Sequence, residues 1–101
     1  MDDSTTYVYM LRCADGSFYT GLTRRPPEER VGEHNAGTVA GYTRGRRPVT
    51  LVWWQEFQLA RDATAAERRV KGWSRRKKLA LIEGDWEGIR RAAKKKFQRS
   101  G

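Results

Sequence analysis

The chain has 101 residues, enough for one domain (1–101) and too few for two. Its 21 Lys and Arg against 12 Asp and Glu give a formal charge of +9, which disfavours a self-contained enzyme of neutral metabolites and makes nucleic acid the leading expected partner. Cys13 is the single cysteine, so a disulfide framework and a thiolate zinc site are excluded, and with no signal-like or membrane-spanning apolar run the expected location is the cytoplasm, at the nucleoid, with no membrane partner.

In chain order, residues 6–12 and 17–23 alternate in the way of half-buried strands around the turn-forming "ADGS", which predicts a β-hairpin. Pro26 and Pro27 end the second strand, and Pro27-Glu28-Glu29 opens a helix with its acids in the first turn, stopped by Gly37. "GTVAGYTRGRRP" has no period and reads as a loop carrying Tyr42, Arg44, Arg46 and Arg47. "VTLVWWQEF" reads as a third strand, continuous enough to be central in a sheet. From Arg61 the period turns helical, with Ala63, Ala66, Val70 and Trp73 on one stripe. Ser74 caps a second helix, and Asp85 a third from Trp86 to about Phe97. The order β-β-α-β-α-α predicts an α+β fold, a three-stranded antiparallel sheet flanked by helices.

The hairpin carries three of the four tyrosines, and the parity of its loop decides which share a face. A two-residue Asp15-Gly16 turn would pair Tyr9 with Leu22. A three-residue loop, Ala14-Asp15-Gly16 with Gly16 left-handed, pairs Leu11 with Tyr19 and Tyr9 with Gly21. The second register is expected. It makes Tyr9 and Tyr19 diagonal neighbours, with Gly21 leaving room beside Tyr9, and gives Val8, Met10, Phe18 and Leu22 to the opposite, core-forming face.

"YVY" at 7–9 followed by "YTG" at 19–21, "ERVGEHNAG" at 29–37 and "AAERRVKGWSRRKKLALIEG" at 65–84 resembles the GIY-YIG nuclease superfamily. The resemblance runs from about Tyr7 to Gly84 and is closest to the small stand-alone bacterial members of the UPF0213 type. It implies a metal-dependent endonuclease acting on DNA, in repair or recombination. It assigns Tyr9 and Tyr19 to the paired tyrosines, Arg30 to the helix arginine, His34 to the position one turn later and Glu67 to the carboxylate that holds the metal.

Phosphodiester hydrolysis needs a base for water, charge stabilisation on the phosphoryl oxygens and help for the leaving oxygen. As a hard oxygen ligand Glu67 suits Mg²⁺ or Mn²⁺. Arg30, four residues before His34 on one helix face, can reach a non-bridging oxygen. The resemblance favours Tyr9 as base with Tyr19 orienting water or phosphate, and His34 stands as a rival base or a relay. Glu67 also closes "TAAE", a capping-box pattern from Thr64, although a helix begun at Asp62 would instead put Glu67 on the inward stripe.

Arg44, Arg46 and Arg47, then Arg68, Lys71, Arg75, Arg76, Lys77 and Lys78, and finally Lys94, Lys95 and Lys96 in the basic C-terminal helix (85–101), supply a track for a nucleic-acid backbone. Such contacts position a duplex or branched DNA without reading its sequence. A non-cleaving or weakly cleaving nucleic-acid-binding module on the same fold, and an RNA-directed nuclease, are the rival expectations.

Overall fold

The computed structural model describes residues 5–85 and 87–89. They fall into two compact units, one ending at Lys71 and one beginning at Gly72.

In the first unit, β1 (Thr6–Arg12) and β2 (Phe18–Thr23) form the expected hairpin. Leu11 faces Tyr19 and Tyr9 faces Gly21. Gly16 takes a φ of 86°, a conformation that side chains with a Cβ adopt at a cost. The loop closes through Cys13 N–H to the Ser17 carbonyl, and Asp15 Oδ1 accepts from both the N–H and the hydroxyl of Ser17.

After α1 (Pro27–Ala36), the chain runs through a loop with a single 3₁₀ turn at Arg44–Arg46 into β3 (Thr50–Phe57), then α2 (Ala60–Lys71). The sheet is antiparallel in the order β2-β1-β3, so β1 is central and β3 is an edge, against the expectation for "VTLVWWQEF". An apolar run marks a central strand only when both faces are covered, and here Trp54 stays 46% exposed, resting edge-on against Tyr7. A register shift between Met10 and Leu11 sets Leu11 against Leu51 rather than Val52, and Leu51 thereby packs on the buried cluster of Tyr9, Leu11, Cys13 and Val49.

Both faces of β1 are therefore core. Val8 and Met10 on one face are as fully buried as Tyr9 and Leu11 on the other, while Phe18 and Leu22 are only half-buried. Pro at the first helical position, Glu28 and Glu29 in the first turn and a left-handed Gly37 at the end fix the limits of α1, as the sequence predicts. Gly37 N–H donates to the His34 carbonyl and Thr38 N–H to that of Glu33. α2 packs on all three strands, burying Ala63 and Val70.

In the second unit, α3 (Arg75–Glu83) starts as expected from Ser74, whose hydroxyl accepts from Lys77 N–H, and ends at a left-handed Gly84. Trp73 precedes it and lies outside α2, so the expected stripe ends at Val70; Lys77 covers its ring at 4.2 Å. Asp85 caps the next turn through Gly88 N–H. The continuation of that helix to Phe97, with Lys94, Lys95 and Lys96, lies outside the described residues.

Candidate active site

Tyr9 projects from the central strand, 1% exposed, and meets α1 at His34, which the following loop meets through Thr43. Its Oη lies 2.9 Å from Nε2 of His34, and Nδ1 of the same imidazole lies 2.7 Å from Oγ1 of Thr43. Tyr19, two residue pairs along the hairpin and so on the same face, brings its ring centroid to 6.2 Å from that of Tyr9 and 5.3 Å from that of His34. The close approach depends on Gly21. A Cβ there would fall 2.7 Å from Tyr9 Oη and 2.9 Å from Cε2 of Tyr19, distances that side chains do not tolerate.

Arg30, one turn before His34, is aimed by Glu33, whose Oε1 accepts from Nη1 at 2.8 Å, while Arg25 pairs with the other carboxylate oxygen. The guanidinium charge favours the ionised form of Tyr9, and the buried Nε makes no hydrogen bond to a described residue. An arginine tethered at one nitrogen with donors unspent suits a phosphoryl oxygen.

Burial pushes the Tyr9 phenol up to about 12, outweighing the opposing pull of Arg30. Burial, and then the Arg30 charge, hold His34 below its ordinary value of 6.5. The pair therefore rests at neutral pH as phenol and neutral imidazole, with one proton between them to move.

Glu67 sits on α2 with its side chain 12% exposed. Since α2 begins at Ala60, Thr64 lies inside the helix, its hydroxyl bonded back to the Ala60 carbonyl. The capping-box reading of Glu67 thus falls away, as does a helix start at Asp62. Lys71 Nζ lies 2.8 Å from Glu67 Oε2, and the carboxylate raises the pKa of that lysine, with a further contribution from Tyr19. Tyr9, Tyr19 and His34 thus form one cluster of rings, with Arg30 one turn before His34 on α1. Glu67 is paired with Lys71 on its own helix and makes no hydrogen bond or ion pair to that cluster among the described residues.

Among the described residues no three or more His, Cys, Asp or Glu side chains gather to cage a metal. One hard, partly buried carboxylate fits a divalent ion that keeps its waters and shares a phosphate, as Mg²⁺ does, and does not fit zinc or calcium sites built wholly from protein.

Thr43 is missing from the sequence reading because its loop has no period to place it. Tertiary anchors carry it to His34. Ala14 N–H donates to the Arg46 carbonyl, Arg46 pairs with Asp15 at 3.0 Å and lies 3.9 Å over the Tyr42 ring, and Arg47 donates to the Arg44 and Asn35 carbonyls. Asn35 in turn brackets Val49, accepting its N–H and donating to its carbonyl. Tyr42, 41% exposed, stacks on Tyr19. Of the expected track residues, Arg46 and Arg47 therefore brace the loop. Arg44, Arg68 and Lys71 are exposed in the first unit, as are Arg75 and Arg76 in the second, where Lys77 and Lys78 are half-buried.

The chain is 45% identical to a UPF0213 protein of Bacillus pumilus over 82% of its own length and 84% of that protein, and 46% identical to one of Staphylococcus haemolyticus over 76% and 93%. The solution structure of a UPF0213 protein from Bacillus halodurans superposes with a TM-score of 0.51 at 44% identity, covering 78% of this chain and 83% of that one. A protein of E. faecalis gives 0.54 at 39% identity, covering 83% and 90%. The family model described as the GIY-YIG catalytic domain matches residues 5–80, a span that includes Tyr9, Tyr19, Arg30, His34 and Glu67. A sheet that seats two tyrosines beside a helix arginine, together with that match, identifies this chain as a member of the GIY-YIG catalytic domain family, within the nuclease superfamily.

Proposed function

We propose that the protein is a metal-dependent endonuclease that hydrolyses DNA phosphodiester bonds, in repair or recombination. The observation that carries this reading is the buried bond between Tyr9 Oη and His34 Nε2, beside an Arg30 charge that favours the phenolate. A phenol held near 12 is a poor base alone. Next to a neutral imidazole it becomes a relay, accepting the proton of an attacking water as its own O–H proton passes to Nε2. The water oxygen bonds to phosphorus, the bond to the 3′ oxygen breaks, and the proton ends on His34, which can return it to the departing oxygen.

Arg30 neutralises the developing charge on the non-bridging oxygens. Tyr19, stacked between the pocket and exposed Tyr42, orients the water or the phosphate. Glu67 is the residue to hold Mg²⁺ or Mn²⁺, which when bound would supply Lewis-acid stabilisation of the phosphoryl group and the leaving oxygen. Exposed Arg44 and Arg68 contribute backbone contacts that position the nucleic acid without reading bases.

The ion pair of Glu67 with Lys71 favours one other reading, a binding module in which the carboxylate serves only its own helix. Cleavage assays on duplex, nicked, branched and single-stranded DNA, and on RNA, with Mg²⁺ or EDTA, separate the two. Metal-dependent scission that falls about 10²–10⁴-fold in Tyr9→Phe is the expected result. A preference for RNA would move the substrate class, and no cleavage of any substrate would move the reading to the binding module.

A further inference from the structure

Five side chains from four elements act on the His34 imidazole: Tyr9 from β1, Tyr19 from β2, Arg30 and Glu33 from α1, and Thr43 from the loop before β3. Among the described residues, Tyr9 and Thr43 are the ones that bond to its ring nitrogens. Both are hydroxyls, able to donate or accept, so the imidazole and its two partners admit either tautomer. The relay proposed above breaks the symmetry. For the Tyr9 phenol to pass its proton to His34, Nε2 must present its lone pair, and the ring proton then resides on Nδ1.

We propose that Thr43 is a positioning residue for the reaction: its hydroxyl oxygen accepts the Nδ1–H of His34 and thereby keeps the Nε2 lone pair facing Tyr9 Oη. Thr43 is 1% exposed, so water does not replace it. With valine at this position the Nδ1–H would be left without an acceptor in a dry site. The ring would move its proton to Nε2, where the Tyr9 oxygen receives it. Tyr9 would then face a donor, and the proton relay would lose its terminus. Thr43 is carried by the most irregular part of the first unit, which explains why Arg46, Arg47 and Asn35 spend so many bonds in fixing that loop.

The tautomer and its effect on rate both rest on the proton relay proposed above, and one experiment reads the two separately. His34 is the only histidine in the chain, so long-range ¹H–¹⁵N correlation spectra of the ¹⁵N-histidine-labelled protein, taken well above the ordinary histidine pKa of 6.5, report this ring alone. The protonated nitrogen should be Nδ1 in the unmodified protein and in Thr43→Ser, and Nε2 in Thr43→Val. Cleavage should fall about 10–100-fold in Thr43→Val and return in Thr43→Ser. An Nε2–H ring in the unmodified protein overturns the proposal without any variant, and so does a Thr43→Val ring that stays protonated on Nδ1. The expected tautomers in a protein that cleaves nothing would support the hold of Thr43 on the imidazole and overturn only the hydrolytic reading.

Discussion

Tyr9, His34 and Thr43 are each at most 1% exposed and carry no formal charge at rest, linked by two short hydrogen bonds, whereas Glu67 and Lys71 on α2 form an ion pair whose lysine is 58% exposed. In the proposed function the first region would move a proton, since exclusion of water keeps the phenol and imidazole neutral. The second would exchange partners, because a lysine in solvent can leave a carboxylate at little cost and a divalent ion would take its place. A site of that kind would separate its proton and polyanion tasks by burial.

The largest expected effect breaks the second region. Glu67→Gln keeps the side-chain shape and removes the charge that would bind Mg²⁺, so cleavage should drop by orders of magnitude. DNA affinity in EDTA should hold or rise slightly and the melting temperature should change little. Retained cleavage would show that the carboxylate does not hold the metal.

Gly21→Ala attacks the first region through geometry. A methyl 2.7 Å from Tyr9 Oη forces the phenol or β2 to move, costing about 1–3 kcal/mol of stability. Denaturant midpoints measure the cost, and cleavage should fall with them because both tyrosines are displaced. An alanine variant as stable and active as the original would mean that the two rings are less tightly seated than this packing requires.

A smaller effect appears with pH. The unfolded chain binds a proton as pH falls through about 6.5, while folded His34 resists it to lower pH. The contribution of this residue is therefore fully present above that value and is lost as pH falls toward the folded pKa. Unfolding midpoints followed down through this window should decline more steeply for the unmodified protein than for His34→Gln. Asp15 and Glu33, held below 3.8 and 4.5, act at lower pH. Parallel curves would contradict the burial of a neutral imidazole.

The smallest effect is expected at Lys71. Lys71→Met should alter stability by less than about 1 kcal/mol, as exposed pairs do, yet lower the Mg²⁺ concentration needed for half-maximal cleavage by removing a competitor for Glu67 Oε2. An unchanged metal requirement would argue that the ion pair and the metal use different oxygens.

Local rules were enough wherever a residue type forces a backbone state. The three-residue loop Ala14-Asp15-Gly16, with Gly16 left-handed, set the register that gives Tyr9 and Tyr19 one face, Pro27 and Gly37 bounded α1, Ser74 began α3, and the spacing of Arg30 and His34 put both on one face of the helix. Strand order was not local. An apolar run such as "LVWW" is equally compatible with a central strand and with an edge strand shielded on one side, and only pairing showed that β1 is the middle strand. The start of α2 at Ala60 was likewise hidden, because Asp62 and Thr64 both offer caps and the helix uses neither. Thr43 was the furthest from reach. Its loop has no periodicity, and its position depends on a salt bridge to Asp15 and backbone bonds to Ala14 and Asn35. By itself the sequence determined which face of the hairpin carries Tyr9 and Tyr19, because turn chemistry and side-chain alternation act over a few residues. Tertiary structure alone decided the protonation of Tyr9 and His34, because their desolvation and the bond from His34 to Thr43 arise from groups 9 to 25 residues apart in the chain.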